Sequence, residues 1–204
     1  MNRLTALAAL LLFPAFFPAA AQQESPLLKA MKAELTRTMT GLAGQPVPPY
    51  FLSYSVTETR TVRMSASFGN IDLEDASVSR VLDIDVRTGD YAVDNTHTIR
   101  GSRFEFGGGG RGISLPLGDD EAALRQAIWI ATDRSYKKAV ERYGKVKTNL
   151  AVKVKEEDSS ADFSRETAAK FIEPPAAFAF DTAAWRGRIK RLSAMFAADP
   201  KMFP

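Results

Sequence analysis

Between Tyr50 and His97 the chain keeps a period of two, and this constrains the fold more than any other stretch. Tyr50, Leu52, Tyr54 and Val56 alternate with Phe51, Ser53, Ser55 and Thr57. Val62, Met64, Ala66 and Phe68 alternate with Thr61, Arg63, Ser65 and Ser67. After a polar break, Val78, Leu82, Ile84 and Val86 alternate with Ser79, Val81, Asp83, Asp85 and Arg87. Such alternation sends successive side chains to opposite faces of a sheet, so one face is apolar and the other wet. That is the pattern of an antiparallel sheet covered on one side. Gly69-Asn70 and Thr88-Gly89-Asp90 punctuate the runs, and Tyr91 and Val93 are expected to resume the meander.

Helical periodicity flanks the sheet. Ser25-Pro26 is an N-cap followed by a proline whose missing N–H costs nothing. Leu28, Met31, Leu35, Met39 and Leu42 then form an apolar stripe that ends at Gly41 and Gly44. Asp119-Asp120-Glu121 opens the longest helix, with Asp119 as the expected cap and acids at the positive end of the dipole. Leu124, Ala127, Ile128, Ala131 and Ser135 give it a small-residue face, while Trp129, Ile130, Tyr136, Val140 and Tyr143 widen its apolar surface. It turns basic from Lys137 to Lys147. Asp181 caps a last helix whose Trp185, Ile189, Leu192 and Phe196 share one stripe. The fold class is therefore α+β (an α/β layer), a mainly antiparallel sheet with helices packed on one face.

The 204 residues, 45% hydrophobic, suffice for one compact domain with a core. Residues 1–21 read as a signal peptide: Arg3, an apolar run from Leu4 to Phe17, and Ala19-Ala20-Ala21 before Gln22. An uncleaved membrane anchor is the alternative. Export makes the expected location periplasmic or secreted, with no stable membrane insertion after cleavage. The chain has no Cys, so disulfides contribute nothing there. A formal net charge of +3, with bases and acids interleaved, argues against a nucleic-acid partner. Residues 22–150 form the expected α/β domain. Residues 151–204 form a connector, an extended segment Phe171-Ile172-Glu173-Pro174-Pro175 and the final helix, expected to break off before a further domain.

Residues that could carry chemistry are few. Asp83 and Asp85 point to one strand face, where a solvated pair with cross-strand partners such as Arg63 is the expectation. The acidic stretch Asn70 to Ala76 reads as a loop without the ligand spacing of a calcium site. Gly107 to Gly112 lacks the following helix start and Lys-Ser/Thr of a phosphate loop, and reads as a flexible hairpin tip or surface loop. His97, the single histidine, reads as a strand-end residue; a Ser–His–Asp triad finds no G-x-S-x-G elbow.

The order of these pieces resembles the N-terminal domain of the TldD/PmbA metallopeptidases, also called modulators of DNA gyrase, in an exported, divergent branch. The resemblance is carried by Ser65-Ala66-Ser67-Phe68-Gly69-Asn70, by Arg80 to Tyr91, by Asp94-Asn95-Thr96, and by Leu115-Pro116-Leu117-Gly118-Asp119-Asp120 leading into Ala122 to Trp129. Ala139, Tyr143 and Phe171 to Pro175 extend it, so that it spans about Ser25 to Phe203. It implies a domain that helps enclose a peptide-binding chamber in a dimer. The family's zinc sits on a later His-Glu-x-x-x-His helix with a Cys ligand, neither of which this chain contains. No catalytic, cofactor-binding or metal-ligating residue is therefore assigned, and the chain is expected to be inactive alone. The implied partners are a catalytic chain or a second copy, and unfolded peptide. The alternative is a stand-alone periplasmic peptide- or protein-binding module. Trp129, Tyr136, Trp185 and Phe196 are expected to lie bare where a partner would cover them.

Overall fold

The computed structural model describes residues 24–99, 112–152, 160–167, 169, 171, 173 and 179–197. The expected signal peptide, most of the glycine run, residues 153–159 of the connector, Ile172, Pro174, Pro175 and the last seven residues lie outside them.

The element order is α1 (Pro26–Leu42), β1 (Pro49–Ser67), β2 (Asn70–Thr88), β3 (Ile113–Ser114), α2 (Glu121–Val152) and α3 (Thr182–Ala197). The strands make one antiparallel sheet in the order β1-β2-β3, and the helices pack against it, an α+β fold.

The sheet is dominated by one long hairpin. β1 and β2 have 19 residues each and pair from Pro49↔Thr88 to Ser67↔Asn70. The turn is Phe68-Gly69, with φ of 49° and 86°. Positive φ at both central residues is what a two-residue type I′ turn requires. The stretch Asn70 to Ala76 is thus strand, not loop: its acids are the exposed side chains of a ladder whose hydrogen bonds do not depend on side-chain polarity. The meander does not resume at Tyr91 and Val93 either. Gly89 and Asp94 make an isolated bridge, and the residues between them bend. Gly89 has φ of 113°, and a Cβ there would lie 2.5 Å from the Val93 carbonyl and 2.7 Å from the Tyr143 ring.

The core lies between α1, α2 and the half of the hairpin next to its open ends. Leu82, Leu115, Leu124, Ile128, Ala131 and Ala30 form one buried cluster; Leu52, Val86 and Ala139 form a second. Even-numbered residues of β2 face this layer, as the alternation predicts. On α1, Met31, Leu35 and Met39 of the expected stripe pack against the core, beside a more deeply buried line of Ala30, Glu34 and Thr38, while Leu28 is exposed. Small side chains let α1 approach α2, and the buried Glu34 carboxylate is held by Arg37 at 2.6 Å and Arg125 at 2.9 Å.

The caps of α1 and α3 match the sequence: Leu28 N donates to Ser25 Oγ and Ala184 N to Asp181 Oδ1. At α2 the cap moves one residue, because Ala123 N donates to Asp120 Oδ1 while Asp119 faces Arg80. Trp129, Trp185 and Phe196 are exposed as expected; Tyr136 is not bare, since its hydroxyl donates to the Val47 carbonyl. Among the described residues no helix is long and apolar enough to cross a membrane.

Candidate functional site: an open sheet edge beside α2

Among the described residues β3 pairs with β2 over two residues only. It covers Val81 and Leu82, and Leu115 N continues the contact by donating to the Arg80 carbonyl. At the other end, the Asn95 carboxamide occupies the same edge: its Nδ2 donates to the Val86 carbonyl and its Oδ1 accepts from Thr88 N. Asn95 N also donates to the Thr88 carbonyl. Backbone groups on one edge recur every second residue, so Arg80, Leu82, Ile84, Val86 and Thr88 all present theirs here. Ile84 lies between the two covered stretches with no strand beside it among the described residues.

A cavity of about 740 Å³ wraps round this gap. One side is β2 from Leu82 to Arg87 with Ser53 and Ser55 of β1; the other is α2 from Ala127 to Arg142. Its ends differ in chemistry. Asp83, Ile113 and Ala127 lie at the β3 end, and Arg87, Asn95, Thr96, Lys138 and Arg142 lie at the far end. Asp83 and Asp85 are thus brought into a site, but not to Arg63, which pairs across the ladder with Asp75. Asp85 instead accepts from Arg87 on its own strand at 3.0 Å.

The far end is fixed by a buried polar network. Asp94 is fully buried, and its carboxylate accepts from the Tyr50 hydroxyl at 2.7 Å, Arg87 Nη1 at 3.0 Å, and Thr96 N and Oγ1 at 2.6 Å. Burial works against the charged form, but the bonds from Thr96, Tyr50 and Arg87 outweigh it and hold Asp94 below the usual carboxylate range. Burial, and then the neighbouring Asp94 carboxylate, push the Tyr50 hydroxyl well above the ordinary phenol range. Arg142 Nε donates to the Asn95 carbonyl and ties the network to α2.

His97 belongs to the same corner. It sits in a turn rather than at a strand end, and its Nδ1 lies 2.8 Å from Asp162 Oδ1. Asp162 Oδ2 accepts from Asp94 N, and the amides of Asp162 and Phe163 donate to the Ala92 and Tyr91 carbonyls. Phe163 packs among Tyr50, Phe51 and Tyr91, with the Arg87 guanidinium 4.1 Å from its ring centroid. Residues 160–167 therefore clamp the sheet end. The Asp162 contact positions the His97 ring in this corner.

Among the described residues no group of three or more His, Cys, Asp or Glu could hold a metal ion. Sequence reasoning missed the edge at Ile84, the Asp94 network and Asp162. The signal for the first was the three-residue span between Gly112 and Pro116, too short for a strand matching β2. Comparison with protein-family models, curated proteins and solved structures finds no match for the chain.

Proposed function

We propose that this chain is a non-catalytic, peptide-holding domain, the exported N-terminal portion of a TldD/PmbA-like zinc peptidase assembly, contributing to dimer assembly and enclosing the peptide substrate. The observation that supports it is the gap at Ile84. An extended peptide laid there gains backbone hydrogen bonds from the sheet edge and side-chain contact from α2, the strand-addition mode of recognition. The exposed Trp129, Trp185, Leu192 and Phe196 offer apolar surface for a catalytic chain or a second copy. The zinc chemistry belongs to the partner in this proposal, not to any residue here.

A second proposal, a stand-alone periplasmic binding module, draws on the cavity between the β2 edge and α2. Incubating the purified chain with an unfolded casein digest and zinc tests the shared claim. Peptide retention on the chain, with no new termini by mass spectrometry, is expected. Cleavage accompanied by one zinc per chain would overturn both proposals, and so would failure to retain any peptide. Light scattering over a concentration series separates them: self-association favours the assembly, and a monomer throughout favours the module.

A further inference from the structure

We infer that α3 is an interfacial helix whose outward face rests on an anionic phospholipid bilayer. The role goes beyond the peptide-holding function proposed above and does not depend on it. Trp185, Leu192 and Phe196 then face lipid, and Trp129 on α2 is left for a protein partner.

The helix leans on the hairpin by a narrow line. Ser193 is its one buried residue, Gly69 N donates to Ser193 Oγ at 2.9 Å, and Arg186 pairs with Glu74. Four large apolar side chains stay exposed: Trp185 at 41%, Leu192 at 56%, Met195 at 69% and Phe196 at 53%. Leu192 follows Trp185 by seven residues, and Met195 and Phe196 follow Leu192 by three and four, so all four share one face. Phe180, just before the helix, stacks on Trp185 with ring centroids 6.1 Å apart and adds a second ring to that face. A helix held along one line and apolar along another suits the plane of a membrane interface.

Charge selects the occupant. α3 carries Arg186, Arg188, Lys190 and Arg191 and no acid from Thr182 to Ala197. Arg186 is taken by Glu74, whereas Arg188, Lys190 and Arg191 have no carboxylate partner among the described residues. The neighbouring residues outside the described set, 174–178 and 198–204, bring one acid, Asp199, against one base, Lys201, so the excess of cations does not rest on their placement. The Arg188 guanidinium lies 4.8 Å from the Trp185 ring centroid, which puts a cation within the apolar face itself. In a headgroup layer the indole reaches the acyl boundary while the guanidinium meets a phosphate. A second copy presenting the same face would set these cations against each other, and a neutral bilayer would leave them uncompensated. Each Lys or Arg near an anionic surface strengthens binding roughly fivefold.

The test is tryptophan fluorescence on the full chain with two kinds of vesicle, phosphatidylcholine alone and phosphatidylcholine mixed with phosphatidylglycerol. The chain has two tryptophans, so Trp129→Phe leaves Trp185 as the reporter. Its emission is expected to shift to the blue on adding the anionic vesicles, with binding at least tenfold tighter than to the neutral ones, and to shift back in concentrated salt. Arg188→Glu combined with Arg191→Glu is expected to weaken anionic binding at least tenfold, and Leu192→Glu to abolish the blue shift. Both changes fall at exposed positions, so the thermal midpoint and the retention of peptide are expected to stay as they are. Equal binding to both vesicles, a shift that survives Leu192→Glu, or no shift at all overturns the inference, whether or not peptide is retained. A dimer formed without lipid that Leu192→Glu dissociates also overturns it, because the face then belongs to a second copy.

Discussion

The two halves of the β1–β2 hairpin share one ladder and differ in almost everything else. From Pro49 to Thr57, and from Arg80 to Thr88, the strands carry the core residues Leu52, Leu82 and Val86 beneath α1 and α2. From Glu58 through the turn to Ser79 the side chains are exposed or half-buried, and Leu73 and Val78 remain more than 40% accessible. Among the described elements, α3 rests on this distal half. It is held by Gly69 N donating to Ser193 Oγ at 2.9 Å and by the Arg186–Glu74 ion pair. Backbone pairing alone thus extends a strand far beyond its core, but the extension carries little of the burial that stabilises a domain. The candidate site lies in the covered half, where rigid walls can hold it.

The contrast breaks most visibly at matched leucines. Leu82→Ala removes a fully buried side chain and is expected to cost about 2–5 kcal/mol. Leu73→Ala, on the same strand and 42% exposed, is expected to stay within about 0.5 kcal/mol. Urea unfolding of both variants measures the pair. Equal losses would mean that the distal half is covered by something as well packed as the core.

A smaller effect sharpens the comparison at the site's far end. Asp94→Asn removes the charge that Arg87 and Tyr50 converge on, and is expected to cost on the order of 2–3 kcal/mol near neutral pH. The folded-state pKa of Asp94 is depressed, so its contribution is fully present above the unfolded value of about 3.9 and is lost as pH falls through the lower folded value. Native protein should therefore lose stability below about pH 4 more steeply than Asp94→Asn does. Parallel acid titrations of the two, followed by circular dichroism, would refute this role for Asp94 if the curves kept a constant separation.

The same division governs what the sequence made legible. Period-two alternation located the hairpin because most core residues on it are ordinary aliphatic ones: Leu52, Leu82 and Val86. It failed at Asn70 to Ala76, where no face is buried and nothing forces the side chains to alternate. On α1 the stripe located Met31, Leu35 and Met39, which pack against the core, but not the deepest line, because those positions are Ala, Glu and Thr and burial of Glu34 depends on Arg125, 91 residues away. The site was hidden for a related reason. The edge is built from backbone groups, which carry no side-chain signal, and Asn95 occupies part of it through its side chain. Asp83 and Asp85 were noticed as a pair, but Arg134, Lys138 and Arg142, which line the same cavity, lie on α2, where they read as a helix end.

The smallest effect concerns how α3 is held. Ser193 is buried, and its hydroxyl joins the turn to the helix by accepting from Gly69 N while donating to the Lys190 carbonyl. Ser193→Ala leaves the Gly69 amide without this acceptor, at a cost of about 1 kcal/mol. Because α3 is held at Gly69 and Glu74 of the distal half, that cost should appear as local opening and not as a shift of the whole domain. Amide hydrogen exchange is expected to speed up roughly fivefold across α3 and the turn, as about 1 kcal/mol implies, with exchange at Leu82 and Ile128 unchanged. Equal acceleration in both places would mean that α3 and the core unfold as one unit. The hairpin's two halves would then differ in appearance but not in cooperativity, and the distal half would have to be counted as part of the scaffold that holds the cavity.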